Sequence, residues 1–340
     1  MQFLYVLKSS PKDFYYEQFF LSAASLKNAM PDANIVLLCD LETKETLVNL
    51  RSGYQKFVCK TIAVKAPGQM SSIQISRWLK TSMRRLVSGD FLFIDCDTIV
   101  TDDLSEVFDL GITFGACLDK HSAISNHPKN NDIISKEKKL GISLEHSNRH
   151  FNSGVIFCSD NDETHRIFSR WHELWLLGIN KSILRDQTSF NIAIQENASF
   201  FTELDGTWNC QITFNGLHYL AKSKIIHYFA SGLTLHTSPF ILASNENLNQ
   251  IKQTGIISET IWESLKNPKS AFCRESRIIA GRDMLSVANS ELFELFYFIN
   301  KKIPVLFSAL NCFCRFLKKS AKFFLIKSKK KNAGGINFYD

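Results

Sequence analysis

Residues 91–100 read FLFIDCDTIV, and this stretch decides how the rest of the chain is interpreted. Its four leading apolar residues predict a short buried strand, and Asp95 and Asp97 follow at the C-terminal end of that strand. Two carboxylates at positions i and i+2 can be turned by the next loop onto one divalent ion. Hard oxygen ligands of this kind suit Mn²⁺ or Mg²⁺, which also bridge a diphosphate. The alternative is a turn in which both aspartates only cap the backbone.

On both sides of this motif, strand-like and helix-like segments alternate. Strands are predicted at 3–7, 34–38, 56–64, 91–94, 111–119 and 154–158, and helices at 16–29, 77–86 and 163–177. This alternation predicts an α/β fold in which helices cover both faces of a parallel sheet. Ligands of such sheets bind beyond the carboxyl ends of the strands, where Asp95 and Asp97 stand. Residues 121–148 are polar and weakly periodic, so they predict a long surface loop or lid over the site.

Composition excludes several classes of protein. With 340 residues, 45% of them apolar, the chain can bury a large core, and we expect one large domain with an appendage. The nine cysteines are scattered without a CxxC pair, which indicates reduced thiols rather than a zinc site or a disulfide framework. The opening MQFLYVLKSS lacks the features of a signal peptide, and no apolar run reaches the roughly 18 residues of a membrane span. We therefore expect a cytoplasmic protein.

The positive charge is concentrated near the C-terminus. The net charge is +7, and residues 301–331 hold ten Lys or Arg and no acid. On a helix, Arg315, Lys318, Lys319 and Lys322 share one face, and Leu306, Leu310, Phe313, Leu317 and Phe324 gather on the opposite face. A basic amphipathic helix rich in Phe suits an anionic membrane surface. The alternatives are a helix packed on the catalytic domain and, less favoured because of the Phe stripe, a tail that binds nucleic acid.

Several segments, taken in order, resemble glycosyltransferase family 8, the retaining enzymes that include bacterial lipopolysaccharide glucosyl- and galactosyltransferases. They are LYVLKSSPKDFYYEQFFLSAASLKNAMPDANIVLLCD, ISRWLKTSMRRLVSGDFLFIDCDTIVTDDLSEVF, FGACLDKH, HFNSGVIFCSD, RDQTSFNIAI, TWNCQ and KIIHYFASG. The resemblance covers about residues 4–232, and the order and spacing of the segments carry it. It implies a GT-A nucleotide-diphospho-sugar transferase fold, a Rossmann-like mixed sheet flanked by helices. Residues 1–245 would form this catalytic domain, 246–300 a helical C-terminal appendage, and 301–340 a basic tail.

The resemblance also implies roles for single residues. It places Asp95, Asp97 and His227 on a metal ion, Tyr15 against the uracil, Arg77 on the donor, Asp119, Asn152 and Asp186 on the sugar hydroxyls, Ser153 beside the donor, and Gln187 beneath the anomeric carbon. From the residues alone, Asp186 has an alternative role as the N-cap of the helix that follows, and His218-Tyr219 repeats the dipeptide of His227.

One departure from the family pattern concerns the diphosphate. In the family, the metal-binding His is usually followed by Gly and then Lys-Pro-Trp, whose Lys neutralises the diphosphate. Residues 227–240 of this chain read HYFASGLTLHTSPF, with neither Lys nor Trp. Lys80 and Lys222 are the candidates to replace that cation.

The resemblance implies metal-assisted transfer of a hexose from a UDP-sugar, with Mn²⁺ or Mg²⁺, to a glycan or lipid-linked acceptor. This would occur at the inner face of a membrane, in the synthesis of cell-surface polysaccharide or lipopolysaccharide. Two alternatives stay open. A haloacid dehalogenase-type phosphatase would use Asp95 as nucleophile, but such enzymes carry DxD on the first strand and a Thr or Val where Ile99 stands. A degenerate homologue would bind a nucleotide-sugar without turnover.

Overall fold

The strand predicted at residues 91–94 lies at the centre of a seven-stranded sheet in the computed structural model of the protein. The structure describes residues 2–141, 148–212, 215–228, 240–272 and 290–317. The chain forms two compact units, residues 1–280 and 281–340. The predicted domain boundaries at residues 245 and 300 stay predictions.

The first unit contains ten strands and nine helices among its described residues. The strands are β1 (Gln2–Leu7), β2 (Ile35–Asp40), β3 (Lys60–Val64), β4 (Phe91–Ile94), β5 (Thr98–Val100), β6 (Phe114–Leu118), β7 (Phe151–Cys158), β8 (Phe201–Leu204), β9 (Cys210–Gln211) and β10 (Ile225–His227). The helices are α1 (Tyr15–Ala29), α2 (Leu41–Thr46), α3 (Ser72–Leu86), α4 (Asn130–Leu140), α5 (Asp162–Asn180), α6 (Gln187–Glu196), α7 (Leu217–Leu220), α8 (Asn245–Thr254) and α9 (Glu259–Lys266).

The large sheet is mixed, with strand order β3-β2-β1-β4-β7-β6-β8. Strands β1 to β4 pair in parallel, whereas β7 runs antiparallel to both of its neighbours, with Val155 opposite Ile94 and Phe151 opposite Leu118. Because β7 is reversed, its first residues lie at the edge where β4 and β6 end. The structure confirms an α/β fold with a mixed sheet flanked by helices. The parallel sheet that the alternation predicted is wrong for β7, which runs antiparallel to β4 and β6.

Helices cover both faces of this sheet because successive strand residues alternate between the two faces. In β4, Leu92 and Ile94 belong to the apolar core on one face of the sheet, which also contains residues of α1, α8 and α9. Phe91 and Phe93 belong to the core on the other face, which contains residues of α3, α5 and α6. All four side chains are buried. Burial of an aliphatic or aromatic side chain of this size stabilises the fold by about 1.5–3 kcal/mol, so β4 is held firmly at the position from which Asp95 and Asp97 extend.

A three-stranded sheet, β5-β10-β9, brings the C-terminal part of the first unit to the end of β4. Strand β10 is antiparallel to β5, with His227 opposite Thr98, and parallel to β9, with His227 opposite Gln211. His227 is the last residue of β10. This pairing places His227 directly beside the aspartates.

Residues 121–148 differ from the predicted surface loop because they contain α4. Ile133, Glu137 and Leu140 of this helix are buried and follow the helical spacing i, i+4, i+7. The helix ends at Gly141, whose φ of 84° is a left-handed conformation that glycine adopts without strain. The surrounding Lys and Asn residues hid this short apolar stripe from the sequence analysis.

In the second unit, the structure describes a helix at Glu291–Lys302 and another at 304–317. We call residues 290–317 the C-terminal helix pair. Phe293, Phe296 and Tyr297 of the first helix line a groove with Phe307 and Leu310 of the second. No residue of the pair is buried. The predicted basic residues from Lys318 onward lie outside the described residues, and within the described part of the chain a membrane-spanning helix is absent.

Candidate active site

Asp95, Asp97 and His227 form one cluster at the C-terminal edge of β4. One ligand atom from each residue lies within 4.8 Å of the other two. The Asp95 N–H donates to Gly154 O at 2.8 Å, and the Thr98 hydroxyl donates to Asp95 O at 2.8 Å, which fixes the turn that follows the strand. His227 Nε2 lies 3.2 Å from Asp97 Oδ1. Two carboxylates and an imidazole at this spacing are a donor set that fits a divalent metal ion.

Helix α3 presents two cations to this edge. The helix begins with a capping box formed by Ser71 and Gln74, and Arg77 and Lys80 lie one turn apart on it. Lys80 Nζ lies 3.3 Å from both carboxylate oxygens of Asp95 and 4.9 Å from the centre of the Phe93 ring. The Lys80 ammonium is buried, so it brings a fixed positive charge to the cluster.

Arg77 joins the cluster to Asp186, with Arg77 Nε 3.2 Å from Asp186 Oδ1. Asp186 occupies the N-cap position of α6, but its side chain makes no capping hydrogen bond. Instead, Asp186 Oδ2 accepts from the Ser153 hydroxyl at 3.3 Å. The side chain of Asp186 is therefore directed at the site and not at the helix end. Gln187, the first residue of α6, is half-buried beside it.

Charge pairing sets the ionisation of these groups. Burial raises the pKa of Asp95 above its usual value, although the Lys80 ammonium acts in the opposite direction. Burial also acts to raise the pKa of Asp186, but the charges of Arg77 and Lys80 outweigh it and hold this pKa below its usual range. Burial acts to lower the pKa of Arg77, but the charges of Asp186, Asp95 and Asp97 together outweigh it and raise this pKa above its usual value. Arg77 and Asp186 are thus an ion pair at neutral pH.

Asp119 and Asn152 meet at the adjoining edge, where β6 ends and the reversed β7 begins. Asn152 Nδ2 donates to Asp119 Oδ1 at 2.9 Å, and both residues are buried. Asn152 lies within β7, which begins at Phe151 and thus three residues before the strand predicted at 154–158. Asp119 Oδ2 accepts from Nε2 of His127, whose Nδ1 accepts from the Lys129 N–H. Burial acts to raise the pKa of Asp119, but the His127 hydrogen bond and the nearby His150 lower it, which keeps the carboxylate charged.

The remaining predicted residues lie around this cluster. Tyr15 begins α1 and is 48% exposed. Partial burial raises the pKa of Tyr15, and the charge of Asp13 raises it further. Of the two lysines proposed for the diphosphate, Lys80 contacts Asp95, whereas Lys222 is exposed in the turn before β10. The segment that departs from the family pattern, residues 229–239, lies outside the described residues.

Two polar residues that were not predicted from the sequence contact the predicted site. Asn209 accepts from His227 Nδ1 at 2.9 Å through its Oδ1, and His127 donates to Asp119. Asn209 stands in the quoted segment TWNCQ, so its place between a Trp and a buried strand was the available signal. His127 lies in the polar 121–148 segment, where no pattern marked it.

The chain is similar to one protein family and to several solved structures. The family model described as Glycosyl transferase family 8 matches residues 22–232. No curated protein sequence matches the chain significantly.

Among solved structures, an active-site mutant of LgtC is 16% identical, with a TM-score of 0.50 over 78% of this chain and 100% of the other. Mouse xyloside xylosyltransferase 1 is 16% identical, with a TM-score of 0.46 over 66% of this chain and 97% of the other. The glycosyltransferase GlyE of Streptococcus pneumoniae TIGR4 is 17% identical, with a TM-score of 0.46 over 82% of this chain and 67% of the other. At these identities, the LgtC likeness shows the fold, which is that of the GT-A glycosyltransferases.

Proposed function

The chain belongs to glycosyl transferase family 8 and is a glycosyltransferase, and we propose that it transfers a hexose from a UDP-sugar with retention of the anomeric configuration. The observation that carries this proposal is the cluster of Asp95, Asp97 and His227 at the carboxyl edge of the sheet. A site rich in carboxylates, with the cations Arg77 and Lys80 beside it, suits a nucleotide diphosphate held through a divalent ion. The proposed donor class follows from the family together with this chemistry.

We propose that Asp95, Asp97 and His227 hold Mn²⁺ or Mg²⁺. All three side chains are half-buried or buried, and the set combines hard oxygen donors with one imidazole. When bound, such an ion acts as a Lewis acid that stabilises charge on the departing diphosphate. LgtC has been crystallised with donor and acceptor sugar analogues, and a donor and an acceptor are also what we propose this site binds.

The protein's own residues would orient the donor and balance its charge. Lys80 is buried in the middle of α3 with its ammonium beside Asp95, so it would take the place of the cation that the family's Lys-Pro-Trp supplies. Arg77 lies between the same carboxylates and Asp186, where it can contact the donor and fix the position of Asp186. A buried cation that needs no reorganisation stabilises developing negative charge more than a flexible surface lysine does.

On the sugar side, Asp119, Asn152 and Asp186 would accept or donate hydrogen bonds to hydroxyl groups, with Ser153 beside them. Gln187 would lie beneath the anomeric carbon and Tyr15 against the base. Because an amide is a weak nucleophile, we propose that Gln187 forms no covalent intermediate. The acceptor hydroxyl would attack from the face that the diphosphate leaves, and its proton would pass to the diphosphate oxygen as the C–O bond breaks.

The acceptor is proposed to be a glycan or a lipid-linked sugar, read by residues 121–148 and 246–300 against the donor domain of residues 1–245. We also propose that the chain is peripheral on the inner face of a membrane through residues 301–331. The C-terminal helix pair supports this because Phe313 and Phe316 are 58% and 66% exposed. Exposed aromatic residues next to a basic segment suit shallow insertion among anionic head groups.

The test of the transferase proposal is UDP release from a panel of UDP-sugars with and without Mn²⁺, in wild type and in Asp97→Ala. We expect one donor to be turned over, and we expect removal of either Mn²⁺ or the Asp97 carboxylate to lower the rate by at least about 100-fold. A thermal unfolding curve for Asp97→Ala serves as the folding control.

Other outcomes would favour the alternatives. Metal-dependent binding of a UDP-sugar without UDP release would identify a degenerate binder. A phosphate mimic that binds to the Asp95 carboxylate in place of a phosphoryl group, with no UDP-sugar turnover, would favour the phosphatase.

A further inference from the structure

The His227 ring is held by the Asn209 side chain and by the backbone of Gly154, and neither residue is proposed as a metal ligand. Only 2% of His227 is exposed. Its Nδ1 lies 2.9 Å from Asn209 Oδ1, and its Nε2 faces Asp97. The orientation of this imidazole, and the nitrogen that carries its proton, therefore depend on Asn209.

One backbone group fixes which way the neighbouring amides point. The Gly154 N–H donates to the side chain of Asn152 at 2.9 Å, so the accepting atom is an oxygen, Asn152 Oδ1. The same oxygen lies 2.9 Å from the Asn209 amide, whose nearer atom must then be the NH₂ group. Asn209 consequently presents its carbonyl oxygen to His227, and His227 Nδ1 must be the donor. In the neutral imidazole, the lone pair is then on Nε2, toward Asp97.

Gly154 closes the other side of the ring. A Cβ atom at this position would lie 2.5 Å from His227 Cε1 and 2.9 Å from Nδ1. The imidazole thus packs directly on the backbone of β7, and no side chain larger than hydrogen fits beneath it. With Gly154 at its face and Asn209 at Nδ1, the ring has little room to rotate or flip.

We propose that Asn209 is a positioning residue that keeps the proton of His227 on Nδ1 and so presents Nε2 for metal binding. This rests on the proposed function, because it takes His227 as a metal ligand. The hydrogen bond to the second nitrogen of a metal-binding histidine sets its tautomer and basicity, and its loss typically weakens metal affinity about 10–100-fold. The Asn209 side chain is buried, so water does not replace the lost acceptor at low cost.

The same amide also links two parts of the site. Asn209 Nδ2 donates to Asn152, and Asn152 donates in turn to Asp119. Replacement of Asn209 by alanine therefore removes the acceptor of His227 and one of the two donors to Asn152 Oδ1. Replacement by aspartate keeps an acceptor for His227 but loses the donor to Asn152. The two variants separate the effect on His227 from a general effect on stability.

The experiment measures Mn²⁺ affinity of the full chain by electron paramagnetic resonance titration without donor. We expect Asn209→Ala to weaken Mn²⁺ binding about 10–100-fold and Asn209→Asp to stay within about threefold of wild type despite a lower unfolding temperature. Gln211→Ala is the matched control. It removes a buried amide two residues away that bonds Leu118 and Lys120 rather than the imidazole, so it should lower stability and leave the affinity unchanged.

A second readout needs no metal. Imidazole ¹⁵N spectra of the apo-protein, assigned with His227→Ala, should place the wild-type proton on Nδ1, and the Asn209→Ala spectrum should shift it toward Nε2. If Asn209→Ala binds Mn²⁺ like wild type while His227→Ala does not, the positioning role is wrong and the metal site stands. If wild type binds no Mn²⁺, or His227→Ala binds it unchanged, the proposed metal site fails, and the inference fails with it.

Discussion

The large sheet and the C-terminal helix pair are both rich in phenylalanine, but the sheet buries these side chains and the helix pair exposes them. Phe91, Phe93 and Phe114 of the sheet are at most 1% exposed. Phe298 and Phe316 of the helix pair are 54% and 66% exposed. In the sheet, residues of alternate strands face helices on both sides, so every apolar side chain finds a partner within the same unit. Apolar content therefore predicts burial only where the topology places another element, such as a helix, over the apolar side chains.

The difference also separates two tasks. The large sheet and its covering helices hold carboxylates and cations a few ångströms apart, and such close spacing needs a rigid support. The helix pair presents its apolar side chains outward, as a surface that binds a membrane would. If the large sheet and the C-terminal helix pair have separate functions, a substitution in one of them should not affect the function of the other.

The largest effect is expected when the same substitution is made in both regions. Phe114 is fully buried, with its ring centre 5.7 Å from that of Phe168 and 5.9 Å from that of Phe190. Phe114→Ala should lower the free energy of unfolding by about 3–5 kcal/mol because it leaves a cavity. Phe316→Ala should change it by less than about 0.5 kcal/mol. Urea denaturation measures both values, and an equal loss in the two variants would show that the helix pair is packed against a protein surface.

A smaller effect is expected on lipid binding. The double variant Phe313→Ser and Phe316→Ser should weaken binding to phosphatidylglycerol vesicles about tenfold or more, because each inserted side chain contributes on the order of 1 kcal/mol. UDP release with a soluble acceptor should not change. Sedimentation with vesicles measures the binding, and phosphatidylcholine vesicles test the need for anionic lipid.

Ile256→Ser is the matched control for that experiment, since Ile256 is an apolar residue of the first unit that is 56% exposed. Vesicle binding by this variant should equal that of wild type. Equal loss in Ile256→Ser and in the double variant would contradict a specific role for the helix pair.

A buried acid of α4 in the first unit provides a third test. Burial raises the pKa of Glu137 from 4.5 to about 7, and its Oε1 has no hydrogen-bond partner among the described residues. Because the folded state binds this proton more tightly than the unfolded state, the contribution to stability is full below pH 4.5 and is lost as the pH rises through 7. Glu137→Gln should flatten the pH dependence of unfolding and be more stable than wild type at pH 8 by on the order of 1–3 kcal/mol. Parallel pH profiles of the two proteins would contradict a buried, ionising Glu137.

Much of the fold was predictable because its strands are local patterns. The run at 91–94 and the aspartates after it announce a strand end without knowledge of the rest of the chain. The direction of β7 was not predictable, because a buried strand reads the same whether it is parallel or antiparallel. Helix α4 was missed because three apolar or buried positions are spread among lysines and asparagines.

The residues of the site also divide into those that a local sequence pattern marks and those that depend on contacts between distant segments. Asp95, Asp97 and His227 carry chemistry that a sequence motif can mark, and the structure brings them together. The contact of Asn209 with His227 depends on the pairing of β9 with β10, which is a relation between segments and not a property of either. The pairing of Lys80 with Asp95 similarly depends on how α3 lies against β4. Roles of the single residues in catalysis stay predictions.

The reversal of β7 has a consequence for protein engineering. Because β6 and β7 are antiparallel neighbours, the chain leaves the sheet after Leu118 and returns to it at Phe151 on the same edge. The intervening connection begins and ends beside Asp119 and Asn152, so its length can change without a shift in the register of either strand. Exchange of this connection between homologues, with Asp119 and His127 kept so that their hydrogen bond is retained, would test the proposal that residues 121–148 read the acceptor.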